Sequence, residues 1–276
     1  MLYISTPLKL MKGKRAKASY SIIDNFFEYM DRPEKTMRYT FLMLLIPVLM
    51  ISLAANAQPE TFFDKVDNFL KTCVKDGRVD YKALKKNPAQ LENLVQTIAT
   101  FDSSVLAEGN TQKAFWINVY NILVINGIVI EFPTDSPLNI EGFFKTIPRL
   151  AAGKELTLDD IENKYIREVY HDARIHFALV CAAKGCPPII SDSYRPDILD
   201  AQLDRRTKAI LNDPDFIQIN YEEKEVLISE IFNWFKADFE QDGKTILEYI
   251  NQFREKSIPT NFAIGYYSYD WDLNTL

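Results

Sequence analysis

The chain has 276 residues, is 47% hydrophobic and 13% aromatic, and carries a net charge of −6. Such a composition supports a sizeable core and excludes wholesale disorder. An acidic chain repels phosphate backbones, and no basic patch with interleaved aromatics is present, so nucleic acid is excluded as an expected partner.

The first 57 residues read as something other than fold. From Met37 the sequence runs "MRYTFLMLLIPVLMISLAANAQ": one basic residue, Arg38, an apolar run of roughly 15 residues, then Ala55-Asn56-Ala57 as a small-x-small cleavage site. Residues 37–57 are therefore expected to be a secretory signal cut before Gln58, which places the protein outside the cytoplasmic membrane, periplasmic or secreted. The run is short for a span and contains Pro47, so an uncleaved signal anchor, touching the membrane through this segment alone, is the secondary expectation. Residues 1–36 read as an extension upstream of a true start at Met37, with a basic cytoplasmic tail as the alternative. Residues 1–57 hold 8 Lys+Arg and 4 Asp+Glu, which leaves 24 basic and 34 acidic residues and a net charge of −10.

Beyond the signal, residues 60–76 have Phe63, Val66, Phe69, Leu70 and Cys73 at helical spacing, which puts Cys73 in a packed face. A short extended piece follows at residues 78–81, then an amphipathic helix opened by Pro88. Residues 111–133, "TQKAFWINVYNILVINGIVIEFP", are apolar enough to be mistaken for a span, but Asn118, Asn121 and Asn126 interrupt them, so a central buried helix is expected. Thr157 is a candidate N-cap, with Asp159 and Asp160 in the first turn. "RIHFALV" reads as a buried strand ended by Pro187-Pro188, residues 196–213 as another helix, and "FIQINYEEKEVLIS" as a hairpin. Ser229 is expected to cap "EIFNWFKADFE"; a last helix and a terminal strand close the chain. No repeat or linker divides this run. The expected fold class is α+β, one domain over residues 58–276, with amphipathic helices around a small, mainly antiparallel sheet.

The chemistry concentrates in residues 171–188, "HDARIHFALVCAAKGCPP", with His171, His176, Cys181 and Cys186 spaced by five. That spacing argues against a metal: an offset of five alternates faces on a strand and rotates by about 140° on a helix. No metal and no cofactor are expected. His171 reads as a helix-end residue. A disulfide between Cys181 and Cys186 suits an oxidising compartment. A nucleophile–base pair, Cys181 with His176, suits the need of a thiol for a neighbouring imidazole, with Asn118, Asn121 or Asp270 orienting the ring. A third reading keeps His176 and Cys181 as packed core residues.

Five ordered blocks, "AFWINVYN", "LTLDDIE", "RIHFALVCAAKGCPP", "LISEIFNWFKADF" and "YDWDLN", closely resemble the domain of unknown function 547 family from about residue 80 to the C-terminus. The resemblance implies a domain found in exported bacterial proteins and in larger eukaryotic ones, with no established activity. It implies that His176 and Cys181 belong to the core pattern and that Cys186 is replaceable by Ser. Trp116, Asn118, Tyr120, Asn121, Asp270, Trp271 and Asn274 also match. The sequence-based expectation is an exported thiol-dependent hydrolase or acyl-transferase acting on an amide or thioester. Its catalytic residues are Cys181, His176, Asn118 and Asn121, and a small-molecule or peptide ligand is held by Trp116, Tyr120, Asp270 and Trp271. The alternative is a non-enzymatic ligand- or protein-binding module.

Overall fold

A computed structural model of the chain describes residues 61–276, so the extension over residues 1–36 and the signal segment over 37–57 lie outside the described residues. Helix α1 (61–73) buries Phe62 and Phe63 against Phe101 and Phe115, with ring centroids 5.5 and 4.9 Å from Phe62. A two-strand hairpin follows, β1 (Val74–Lys75) and β2 (Arg78–Val79). Its turn places Asp76 and Gly77 at positive φ, as tight hairpins require. Helices α2 (Tyr81–Lys86) and α3 (Ala89–Ala99) lead to α4 (Asn110–Glu131), the axis of the fold. α4 is long and apolar enough to cross a membrane, yet 83% of its most apolar window is buried within the protein, which makes it the expected core helix.

A second hairpin, β3 (Arg149–Ala151) with β4 (Lys154–Leu156), precedes helix α5 (158–170). Thr157 caps α5 with a full capping box to Asp160, as expected. The middle of α5, Ile161–Arg167, winds as a π-helix. His171 ends α5 in the left-handed conformation. Helix α6 (Leu199–Leu211) leads into the only three-stranded sheet among the described residues. In it β5 (Ile217–Asn220) pairs antiparallel with β6 (Glu225–Ser229), which pairs parallel with β7 (Ala263–Tyr267). The α+β class holds, with the strands in three small sheets rather than one.

Three local expectations change. "RIHFALV" is not a strand: Ala173–Phe177 form a 3₁₀ turn capped by the Asp172 carboxylate, which accepts from the Arg174 N–H at 3.1 Å. No strand lies alongside it, and Asn121 does the work of a ladder by accepting from Val180 N–H and donating to the Ala178 carbonyl, both at 3.0 Å. The "EIFNWFKADFE" helix is split into α7 (Ile231–Trp234) and α8 (Lys236–Phe239), with Ser229 Oγ accepting from Ile231 N–H at 3.3 Å. The terminal strand stops at Tyr267, and residues 268–276 leave the sheet to lie across residues 182–185. Lys184 and Gly185 N–H donate to the carbonyls of Asp272 and Asp270, and Asn274 N–H donates to Ala182.

Two buried clusters result. One surrounds α4; the other lies between the three-stranded sheet and Phe177, Phe232 and Phe239. The approach of Gly185 to the C-terminal strap leaves no room for a side chain, since a Cβ there would sit 2.9 Å from Asp270 N and 3.1 Å from its oxygen. Gly185→Ala is therefore expected to destabilise the fold by about 1–3 kcal/mol, read by urea unfolding; an unchanged midpoint would show that the strap yields freely.

Candidate functional site

Where the two clusters meet, the surface opens into a cleft of about 200 Å³. Its apolar walls include Phe144, Leu179, Ile231, Trp234, Phe235 and Trp271. Its polar groups are Tyr120, Lys145, Glu162, His176, Cys181, Cys186 and Tyr269. Elements far apart in sequence supply them: α4, α5, the 176–186 segment, α7 and the C-terminal strap.

The sulfurs form the centre. Cys181 and Cys186 are free thiols with Sγ atoms 2.7 Å apart, beyond the ~2.05 Å of a disulfide bond. Cys186 Sγ accepts from the Cys181 thiol and from the Cys181 N–H at 2.9 Å. The Tyr269 hydroxyl lies 3.0 Å from Cys181 Sγ. Burial pushes both thiols up. For Cys181, the bond to Cys186 and its charge push further, well above the ordinary value. For Cys186, hydrogen bonds from Cys181, Tyr269 and the Cys181 N–H outweigh burial and hold it below the ordinary value. Of the two sulfurs, Cys186 therefore gives up its proton the more readily, and Cys181 holds its own. Tyr269 stays protonated, because burial and the adjacent sulfurs raise it well above the usual phenol range. Cys73, by contrast, is packed in the core and pushed by burial up to about 12.

His176 is nearly sealed, its ring stacked on Phe235 at 4.1 Å and tilted against Phe239 at 5.2 Å. Its Nε2 lies 2.7 Å from Asp238 Oδ2, and the same carboxylate takes Arg167 through Nε at 2.7 Å and Nη2 at 3.2 Å. Burial raises Asp238, but bonds from His176 and Arg167 overcome it and hold the carboxyl well below its usual range. Burial lowers His176 despite Asp238, so a neutral imidazole donates its Nε2–H to an ionised carboxylate. No hydrogen bond joins His176 to Cys181, so the direct nucleophile–base contact expected from the sequence is absent. The histidine is engaged by Asp238 and the aromatic rings.

Glu162 comes from the π-wound turn, a geometry that recurs at functional sites. It accepts from the Tyr120 hydroxyl at 3.2 Å. Burial raises its carboxyl to about 7, against the opposing pull of Arg167 and Tyr120. A carboxyl that titrates near neutrality inside a cleft is suited to giving and taking protons.

The remaining expected residues separate. Tyr120 and Trp271 line the cleft, and Trp271 stacks on Trp234 at 5.8 Å. Trp116 packs instead against Phe115 and Tyr165. Asp270 is exposed and accepts from Asp272 N–H at 2.9 Å, not from the histidine. Asn118 and Asn121 are also corrected. Both amides are consumed in holding backbone: Asn118 donates to Ala114 and Tyr194 carbonyls at 2.8 Å and accepts from Tyr194 N–H at 3.0 Å, while Asn121 clamps Ala178 and Val180. They place the cysteine-bearing segment without facing the cleft. The sequence reading passed over Glu162, Arg167, Asp238 and Tyr269. Two carried a signal, since Glu162 lies in line with Leu158, Ile161, Tyr165 and Ile166, and Asp238 with Phe235 and Phe239. Each is a carboxylate on an apolar helical stripe.

Residues 105–211 match the model of a family described as protein of unknown function, DUF547. The match spans α4, Glu162, both histidines and both cleft cysteines; Asp238 and Tyr269 lie beyond it. No curated protein and no solved structure matches the chain.

Glu162 gives a pH test with a defined sign. Its folded-state value lies above the 4.5 of an ordinary glutamate, so its stabilising contribution is present at low pH and lost as pH rises through about 7. The lowered His176 works in the opposite direction, so the wild type is compared with Glu162→Gln, which keeps the histidine. Between about pH 5 and pH 8 the wild type is expected to lose about 1–3 kcal/mol more stability than the variant, allowing for the part of Glu162 that faces the cleft. Parallel urea-unfolding curves at both pH values would contradict a buried carboxyl.

Proposed function

We propose that the cleft is the active site of an exported thiol-dependent hydrolase or acyl-transferase that acts on an amide or thioester. One observation carries the reading: two thiols in contact, Cys181 and Cys186, share one cleft with Glu162, a carboxyl poised near neutrality. The signal-like segment over residues 37–57 supports export. The apolar walls suit an acyl group with an apolar or aromatic flank.

In the proposed cycle Cys181, the more open of the two sulfurs, attacks the carbonyl carbon as its proton passes to the Cys186 thiolate. The Tyr269 hydroxyl lies where it can donate to charge that develops beside Cys181. The bond from the carbonyl carbon to the leaving nitrogen or sulfur breaks, and Glu162 supplies the proton the leaving group needs. Glu162, now ionised, takes a proton from water or an acceptor, which attacks the thioester; the Cys181 sulfur leaves and recovers its proton from Cys186. His176 is here a positioning residue, holding Asp238, Arg167 and Phe235 as one wall of the cleft.

An aryl thioester offered to the protein, followed by intact and peptide mass analysis, tests this. A single acyl adduct is expected on Cys181, absent in Cys181→Ser. Glu162→Gln is expected to slow turnover by about 10²–10⁴-fold, the usual contribution of a positioned acid–base group. Acylation spread over surface nucleophiles, with equal rates in Cys181→Ser, would favour a cleft that only binds.

A further inference from the structure

The cysteine pair has a feature that acyl transfer does not use. Cys186 lines a second cavity of about 250 Å³ beside Asp76, Gly77, Arg78, Lys184, Pro188 and Asn274. It also faces the aromatic cleft, so the two sulfurs stand between two cavities of different character: apolar where Cys181 is reached, polar where Cys186 alone is reached. In the proposed acyl transfer Cys186 serves only as the base for Cys181, a role that does not require sulfur, and a second entrance to that base serves it no purpose. Both features suit a pair that exchanges electrons.

We propose that Cys181 and Cys186 carry out thiol–disulfide exchange, reducing a disulfide with an apolar or aromatic flank that docks against Trp234, Tyr269 and Trp271. The Cys181 sulfur, its proton passed to Cys186, attacks one sulfur of the substrate. A Cys181–substrate disulfide forms, and the first thiolate leaves and takes up a proton. Cys186, returned to its thiolate by loss of that proton, attacks Cys181 Sγ. The Cys181–Cys186 bond forms, and the second substrate thiol leaves. Two thiols of the protein are oxidised and one substrate disulfide is reduced to two thiols. A small polar thiol entering by the second cavity attacks Cys186 Sγ and expels the Cys181 thiolate. A second such thiol then attacks the mixed disulfide on Cys186, leaving as the small-thiol disulfide and restoring the pair. The main-chain geometry fits this exchange: Ala182 stands at positive φ directly after Cys181, and the Cys181 N–H already points to Cys186 Sγ. This activity shares its nucleophile with the proposed acyl transfer but needs no acyl substrate, so each can fail without the other.

Dithiodipyridine is the probe, an aromatic disulfide whose released thione is coloured. The full chain is expected to release two thiones per protein and to lose the mass of two hydrogens, with the bridge mapped to Cys181 and Cys186. Cys186→Ser is expected to release one thione and keep one pyridyl adduct on Cys181; in Cys181→Ser the fast phase is lost. Mercaptoethanol should then reopen the wild-type bridge, and Arg78→Trp, which narrows the second cavity, should slow reopening severalfold without slowing thione release. Stable pyridyl adducts on both cysteines of the wild type, with no bridge, would overturn the exchange. A bridge that reopens equally fast in Arg78→Trp would overturn the route through the second cavity.

Discussion

A buried stretch of backbone with no regular structure governs this molecule. Much of residues 178–194 is buried without a ladder or a helix, yet buried N–H and C=O groups must find partners. α4 supplies them from one side: Asn121 clamps residues 178 and 180, and Asn118 clamps residue 194. The C-terminal strap supplies them from the other, pairing with residues 182, 184 and 185. Leaving one such group unpaired costs on the order of 1–3 kcal/mol. Four or more are satisfied here by two asparagine side chains and by a strap that is also pinned to Val79 and Asp135 and buries Leu273. The fixed course of this segment sets the cysteines beside each other and lays Tyr269 over them.

The electrostatics follow from burial. A carboxylate, an imidazole and two thiols withdrawn from water would each become neutral if left alone. Asp238 stays charged because Arg167 meets it with two N–H donors, and it in turn fixes the histidine. Cys186 ionises more readily than a free thiol because three donors converge on it, at the expense of Cys181. Glu162 receives only the Tyr120 hydroxyl and a distant guanidinium, too little to offset its desolvation, and so it alone is left near half-protonation at neutral pH. The cleft thus holds a readily ionised sulfur and a proton-bearing carboxyl together, an arrangement that water would erase.

Much of the fold was legible in the sequence because it depends on local signals. The 3.6-residue apolar period placed α1, α3, α4 and α6. Thr157 marked a helix start through its capping box, and the alternating hairpin at β5–β6 was visible from its turn. The 3₁₀ turn at Ala173–Phe177 was not legible: a short apolar run reads as a strand, and only the distant Asn121 shows that its hydrogen bonds go elsewhere. Of the site, His176, Cys181, Tyr120 and Trp271 were found from residue type and family resemblance, and all four line the cleft. The pairings among them were not, because Asp238 reaches His176 across 62 residues and Tyr269 reaches Cys181 across 88. The asparagines were assigned to chemistry because a buried amide and a catalytic amide look alike in sequence.

The central claim is that Cys186 is the sulfur of the buried pair that ionises first. Ultraviolet thiolate absorbance followed across pH tests it in the wild type, Cys181→Ser and Cys186→Ser, with Cys73 common to all three. The expected result is a wild-type thiolate step below the ordinary cysteine value, retained in part by Cys181→Ser and abolished by Cys186→Ser. A step that survives in Cys186→Ser and disappears in Cys181→Ser would place the charge on the other sulfur and contradict the account.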